Sequence, residues 1–176
     1  MEAELSSMKR RLILSFLFLI PLFYISMGHM MGAPLPAFLV GHENAISFAF
    51  TQLLLTLPIL YINDKYYKNG FRSLLHGGPN MDSLIAVGSI AAVIYGVFAI
   101  YQIGYGLGHG DMARVEQYHM DLYFESAGMI LTLITLGKFL ETRSKGKTSQ
   151  AISRLMDLAP KTATVLRDGA EAEIPV

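Results

Sequence analysis

The chain has 176 residues, 14 Lys and Arg against 14 Asp and Glu, and no cysteine. Over half of it, 52%, is hydrophobic and only 16% is charged, against about 25% charged in soluble domains, so the surplus apolar surface calls for lipid as its solvent. Zero formal charge gives no electrostatic case for nucleic acid, and none is expected as a partner. The missing cysteine excludes disulfides, zinc knuckles and thiolate nucleophiles, so a metal site here must draw on Met, His, Asp or Glu.

A membrane-crossing helix needs about 20 mostly apolar residues, because the hydrocarbon core is about 30 Å thick and each residue rises about 1.5 Å. Residues 1–11 are a short segment closing on Lys9, Arg10 and Arg11. Residues 12–31 form the first span; it lacks a small-residue cleavage site and further spans follow, so it reads as a retained helix and not a signal peptide. Residues 45–62 form the second. Pro21 and Pro58 lie inside these two runs and are expected to kink them, as membrane helices tolerate.

Between residues 64 and 78 the pattern changes. Tyr67, Phe71, Leu74 and Leu75 recur at helical spacing while Lys65, Lys68 and Arg72 gather on another face, which predicts an interfacial amphipathic helix. It serves either as a surface connector whose basic side chains reach out to water or as a positive landing site for a partner. Gly77-Gly78-Pro79 breaks it, and Asn80 is placed to cap the next helix, setting Met81 at the cytosolic mouth. The third span begins near Ser83 and holds no ionisable group except tyrosines until His109. The fourth begins near Leu122 and is apolar to Phe139 except at Glu125 and Lys138.

Good helix formers continue past the fourth span, and Pro160 is the first firm stop. Residues 122–158 would make about 55 Å of helix, nearly half of it a cytosolic stalk. Residues 162–166 then alternate as a strand, Arg167-Asp168-Gly169 signals a turn, and residues 173–176 read as a returning strand. Two strands make no stable domain. The expected fold is an all-α membrane protein of four transmembrane helices with an interfacial amphipathic helix, plus the first β-strands of a cytosolic domain of which the chain holds only the start.

Orientation follows from the basic residues. Thirteen of the 14 lie before the first span, between the second and third, or at and after the end of the fourth; Arg114 alone falls on the other face. Lys and Arg favour the cytoplasmic side, so both termini are expected inside, with residues 32–44 and 104–121 outside.

A carboxylate inside the bilayer costs a few kcal/mol even on lenient scales, which makes Glu125 a functional candidate. Glu141 follows sixteen residues later, about 24 Å along the same helix and about 160° around it. Monovalent copper is a soft ion that favours thioethers. Met81 beside a carboxylate is therefore a labile copper site, although a lone methionine is also good packing material. A second group rich in sulfur and imidazole, Met27, His29, Met30, Met31, Met112, His119 and Met120, sits at the outer side.

The runs Asn80-Met81-Asp82-Ser83-Leu84-Ile85, Tyr123-Phe124-Glu125 and Gly137-Lys138-Phe139-Leu140-Glu141 resemble the copper-transporting heavy-metal P-type ATPases, and the likeness extends over essentially the whole chain. The resemblance implies two class-specific helices (residues 12–62), an amphipathic platform (63–80), the first two core helices with their stalk (81–159), and the start of an actuator domain (160–176). It implies that Met81 and Glu141 load the ion at the cytosolic mouth, that Glu125 serves its exit, and that Lys65, Lys68 and Arg72 dock a copper chaperone or the protein's own N-terminal metal-binding domain. Cu+ is then the transported ion of a bacterial cell-membrane translocase, with Mg2+ and ATP serving only the parent protein. The Cys-Pro-Cys, Asp-Lys-Thr-Gly-Thr and Thr-Gly-Glu motifs of that family are absent from these residues and are expected beyond Val176. The chain also departs from the family at the end of the second span, where Ile62-Asn63 replaces the frequent glycine pair. Met81, and the lack of acidic pairs mid-membrane, favour copper or silver over zinc or cadmium. A non-catalytic four-helix scaffold or sensor is the alternative from another class.

Overall fold

The computed structural model describes residues 2–158, 162–167 and 169–175. The expected helix stop at Pro160, the turn residue Asp168, the basic Lys161 and the terminal Val176 lie outside the described residues. The elements run α1 (Glu2–Met30), α2 (Ala45–Ile62), α3 (Asp64–Leu75), α4 (Met81–His109), α5 (Met112–Met120), α6 (Phe124–Asp157), β1 (Thr162–Arg167) and β2 (Ala170–Pro175). Four helical stretches are long and apolar enough to cross a membrane, carried by α1, α2, α4 and α6. Helix α6 packs against α1, α2 and α4, and α1 also lies along α2.

The interior is built for a lipid solvent. Helix association in a bilayer gains little from the hydrophobic effect and relies on close packing of small residues and on hydrogen bonds between helices. Ala45, Ala49, Ala86, Ala99 and Ala127 are buried together with Ser15, Ser89, Thr56, Thr132 and Thr135, whereas Ile13, Leu17, Ile20, Leu54, Leu84 and Ile94 face outward. Gly128 lets α6 approach α1 and α2 closely: a Cβ there would sit 3.1 to 3.2 Å from the side chains of Leu22, Ile59 and Leu19. Gly96 on α4 similarly receives the ring of Phe124.

Asn80 caps α4 as expected, in a reciprocal arrangement in which the Ser83 amide donates to Asn80 Oδ1 at 3.0 Å and the Asn80 amide donates to Ser83 Oγ at 3.2 Å. Helix α3 ends at Leu75, and Gly77 takes the left-handed conformation (φ 73°) that the break requires. Its buried residues are Tyr66 and Gly70, one turn apart, while Leu74 and Leu75 stay exposed.

Two features differ from the expectation. Helix α1 begins at Glu2, ten residues before the apolar run, so the basic lead-in is a helical extension of the span. The outer segment 104–121 is not a loop, because α4 continues to His109 and α5 folds back on it. Gly110 at φ 70° makes that turn, Asp111 accepts a hydrogen bond from the Arg114 amide as the cap of α5, and Val115 is fully buried. The single basic residue expected outside, Arg114, is paired there with Asp111 at 3.3 Å. At the other end β1 and β2 form an antiparallel hairpin with Thr162 opposite Pro175 and Arg167 opposite Ala170.

Candidate functional site

At the end of the bundle that carries α3, the end expected to be cytosolic, α1, α3, α4 and α6 surround a cavity of about 230 Å3 lined by Glu4, Met8, Arg11, Lys65, Asp82, Lys138 and Glu141 among others. Glu141 stands on this cavity, is more than half exposed, and pairs with Lys145 one turn along the stalk. Met81 is the first residue of α4, 58% exposed, and is not among the cavity's lining residues; its neighbour Asp82 is. The structure therefore brings Glu141 together with Asp82 and Met8, and leaves the Met81 thioether on the surface beside them. Lys138, isolated in the apolar run of the fourth span, finds its partner here: its Nζ lies 2.6 Å from Asp82 Oδ1 and 4.7 Å from the centre of the Tyr66 ring.

A buried polar knot ties this end together. Asn63, fully buried between α2 and α3, donates from Nδ2 to Ser15 Oγ at 2.8 Å and to the Ile59 carbonyl at 2.9 Å. Its Oδ1 accepts from Thr135 Oγ1 at 3.0 Å and from Arg11 at 3.4 Å. Tyr66 joins through a 2.8 Å bond to Thr135. The helix break between second span and platform thus falls at Ile62-Asn63, held by side-chain hydrogen bonds where glycine would act by backbone freedom.

Lys65, Lys68 and Arg72 are all exposed on α3, and Lys65 also lines the cavity that Tyr66 and Glu141 border. Lys68 bonds to Asp64, whose hydrogen bond and negative charge raise the lysine pKa. Tyr67 bonds to Ser89 at 2.7 Å, and burial raises its phenol pKa despite that bond.

At the opposite end, the one expected to be outside, a second cavity of about 190 Å3 is lined by Met27, His29, Met30, Gln52, His119, Met120 and Glu125 among others. Glu125 is only 6% exposed, and its Oε2 has no hydrogen-bond partner among the described residues. The expected outer group largely assembles: Met27, His29, Met30, His119 and Met120 share this wall. Met31, 83% exposed, faces a separate apolar groove between α1 and α6, which Met27 also borders. Met112 is half exposed and lines neither cavity. Gln52, which sequence reasoning passed over, is fully buried in the same wall with both amide atoms unpaired. Each such orphan costs about 1–3 kcal/mol, and a lone amide within an apolar span was the signal for it.

The chain is a four-span helical membrane bundle with one cavity at each end of its membrane-crossing part, a surface helix beside one of them and a long helix that continues toward a β-hairpin. No family model matches the chain. It is 38% identical, over 99% of its length, to a "Probable copper-importing P-type ATPase A" of Enterococcus hirae. It is 33% identical over 99% to a "Copper-exporting P-type ATPase" of Staphylococcus epidermidis and 36% identical over 99% to "Copper-transporting ATPase 2" of Rhizobium meliloti. The chain belongs to the copper-transporting P-type ATPase family, and it spans about a fifth of the length of these relatives.

Proposed function

We propose that the chain forms the cytosolic mouth, the outer exit and the carrier-docking platform of an ATP-driven exporter of monovalent copper. The observation that carries this reading is α6 itself, which sets Glu141 on one cavity and the buried Glu125 on the other, about 24 Å apart. Met81 supplies a thioether and Glu141 a charge at the mouth, a combination that captures a soft ion briefly and releases it onward. Glu125 draws the ion from tighter sulfur ligands and gives it up to water. Mg2+ and ATP serve the whole protein, and none of the residues described is assigned to them.

The two ends fail differently under mutation. In the full-length transporter, Met81→Ala and Glu141→Ala are expected to lower copper-dependent phosphorylation from ATP by roughly tenfold or more. Glu125→Ala is expected to phosphorylate normally and dephosphorylate slowly. Blocked phosphorylation in Glu125→Ala, with Met81→Ala behaving as wild type, would reverse the assignment.

Both termini are proposed to lie in the cytoplasm, a reading supported by the one-sided basic residues. Gly108→Cys should then react with a membrane-impermeant thiol reagent applied to sealed cells, and Ser144→Cys should not. The opposite labelling pattern would invert the bundle.

A further inference from the structure

The outer cavity carries more ligand chemistry than a release carboxylate needs. Three stretches distant in sequence meet there: the end of α1 with Met27 and His29, the outer half of α2 with Gln52, and the corner between α5 and α6 with His119 and Glu125. His119 is 4% exposed, yet its Nε2 has no hydrogen-bond partner among the described residues. Its ring stands nearly perpendicular to that of His29, with centroids 4.7 Å apart, and His42 lies behind at 6.0 Å. Phe48 packs against both His119 and His29, at 4.6 and 5.0 Å, and fixes their orientation. Buried polar atoms that find no protein partner call for an explanation, such as an ordered water or a bound ion.

The donor types narrow what that is. Among the described residues no three His, Cys, Asp or Glu side chains converge to hold a metal ion, so a ligand set here has to include thioether sulfur. Imidazole nitrogen next to thioether sulfur suits a soft monovalent ion.

We propose that His119 and His29, with the Met27 thioether, form a nitrogen-and-sulfur acceptor site for monovalent copper or silver beside Glu125. The inference rests on the outer cavity being the exit and adds a ligand set that the carboxylate alone does not supply. Copper drawn toward Glu125 is received by imidazole, and the site holds it at the outer mouth until it is lost to the exterior. Phe48 and the buried corner keep the two rings poised, so little ordering is needed when the ion arrives.

The test titrates Cu+ against a colorimetric Cu+ chelator on the 176-residue chain in lipid nanodiscs and reads the bound ion by X-ray absorption, with Ag+ as a second probe. The wild-type chain is expected to show both nitrogen and sulfur around copper. His29→Ala, at a half-buried position, and His119→Phe, which keeps a ring against Phe48, should each weaken binding by roughly tenfold or more and remove nitrogen scattering. Circular dichroism melts confirm that the variants fold; should His119→Phe melt early, His29→Ala decides. Glu125→Gln should leave the nitrogen signal in place, which separates this site from the exit reading. Unchanged affinity in His29→Ala, or copper surrounded by sulfur alone in the wild-type chain, would overturn the proposal even with Glu125 acting at the exit.

Discussion

Replacing Gly70 with valine is expected to lift α3 from the start of α4 and to cut carrier-fed copper loading at every salt concentration. A Cβ at this position would lie 2.4 Å from the Asp82 carbonyl oxygen, 2.6 Å from its carbon and 2.8 Å from the Ser83 nitrogen. These are backbone atoms at the capped start of a helix, so none can swing aside. The displaced helix would also lose the bond from Ser83 Oγ to the Gly70 carbonyl, 2.6 Å, and the Tyr67 to Ser89 bond. Overpacking costs about 1–3 kcal/mol and each lost hydrogen bond about 0.5–1.5 kcal/mol. Hydrogen exchange at the α3 amides should rise accordingly, with Gly70→Ala intermediate. Reversing Lys65, Lys68 and Arg72 to glutamate acts on the same platform by another route. It should slow association with an acidic carrier chiefly at low salt and leave the exchange of α3 unchanged. Native-like exchange in Gly70→Val would mean that the two helices do not need their close crossing.

The second large effect is expected at Asn63. Asn63→Leu keeps the branched shape and removes the side-chain donors and acceptor, leaving Ser15 Oγ without its Asn63 partner in a buried corner where α1, α2, α3 and α6 meet, while Thr135 keeps Tyr66 and the Leu131 carbonyl and the Ile59 carbonyl keeps the residue-63 amide. Hydrogen bonds inside membranes average only about 0.6 kcal/mol, but an unpaired buried group costs more, and the loss should reach about 1–3 kcal/mol. Unfolding of the nanodisc-embedded chain with added detergent, followed by circular dichroism, measures it. Asn63→Asp retains the acceptor next to Arg11 and should lose less. A change within about 0.5 kcal/mol for Asn63→Leu, the range of ordinary surface substitutions, would show that the knot is dispensable.

How far the sequence reveals this arrangement depends on the range of the interactions. The limits of α2, the break after α3 and the cap on α4 are legible because they rest on neighbouring residues: an apolar run, Gly77 and the Asn80 side chain. The N-terminal extension of α1 escapes a search for apolarity, since its first residues are polar and still good helix formers. Helix α5 escapes too, although Gly110 followed by Asp111 is the stop-and-cap signature that would have disclosed it. Glu125, Glu141 and most of the outer sulfur and imidazole group are readable as ionisable or soft residues near the membrane boundaries. Their assembly is not, because it depends on contacts such as Lys138 with Asp82, 56 positions apart, or His29 with His119. Asn63 hid for the same reason, since at the end of a span an asparagine looks like a simple boundary.

Helix α6 runs unbroken from Phe124 to Asp157 with no proline inside it, so Glu125 and Glu141 share one continuous helical backbone. Glu125 and Glu141 project about 160° apart around its axis. A twist imposed at the hairpin end therefore swings them in opposite lateral directions: as one side chain sweeps toward a given neighbouring helix, the other sweeps away from it. A rotation of this one helix would therefore move both carboxylates at once, in opposite senses, at the two ends of the membrane-crossing part.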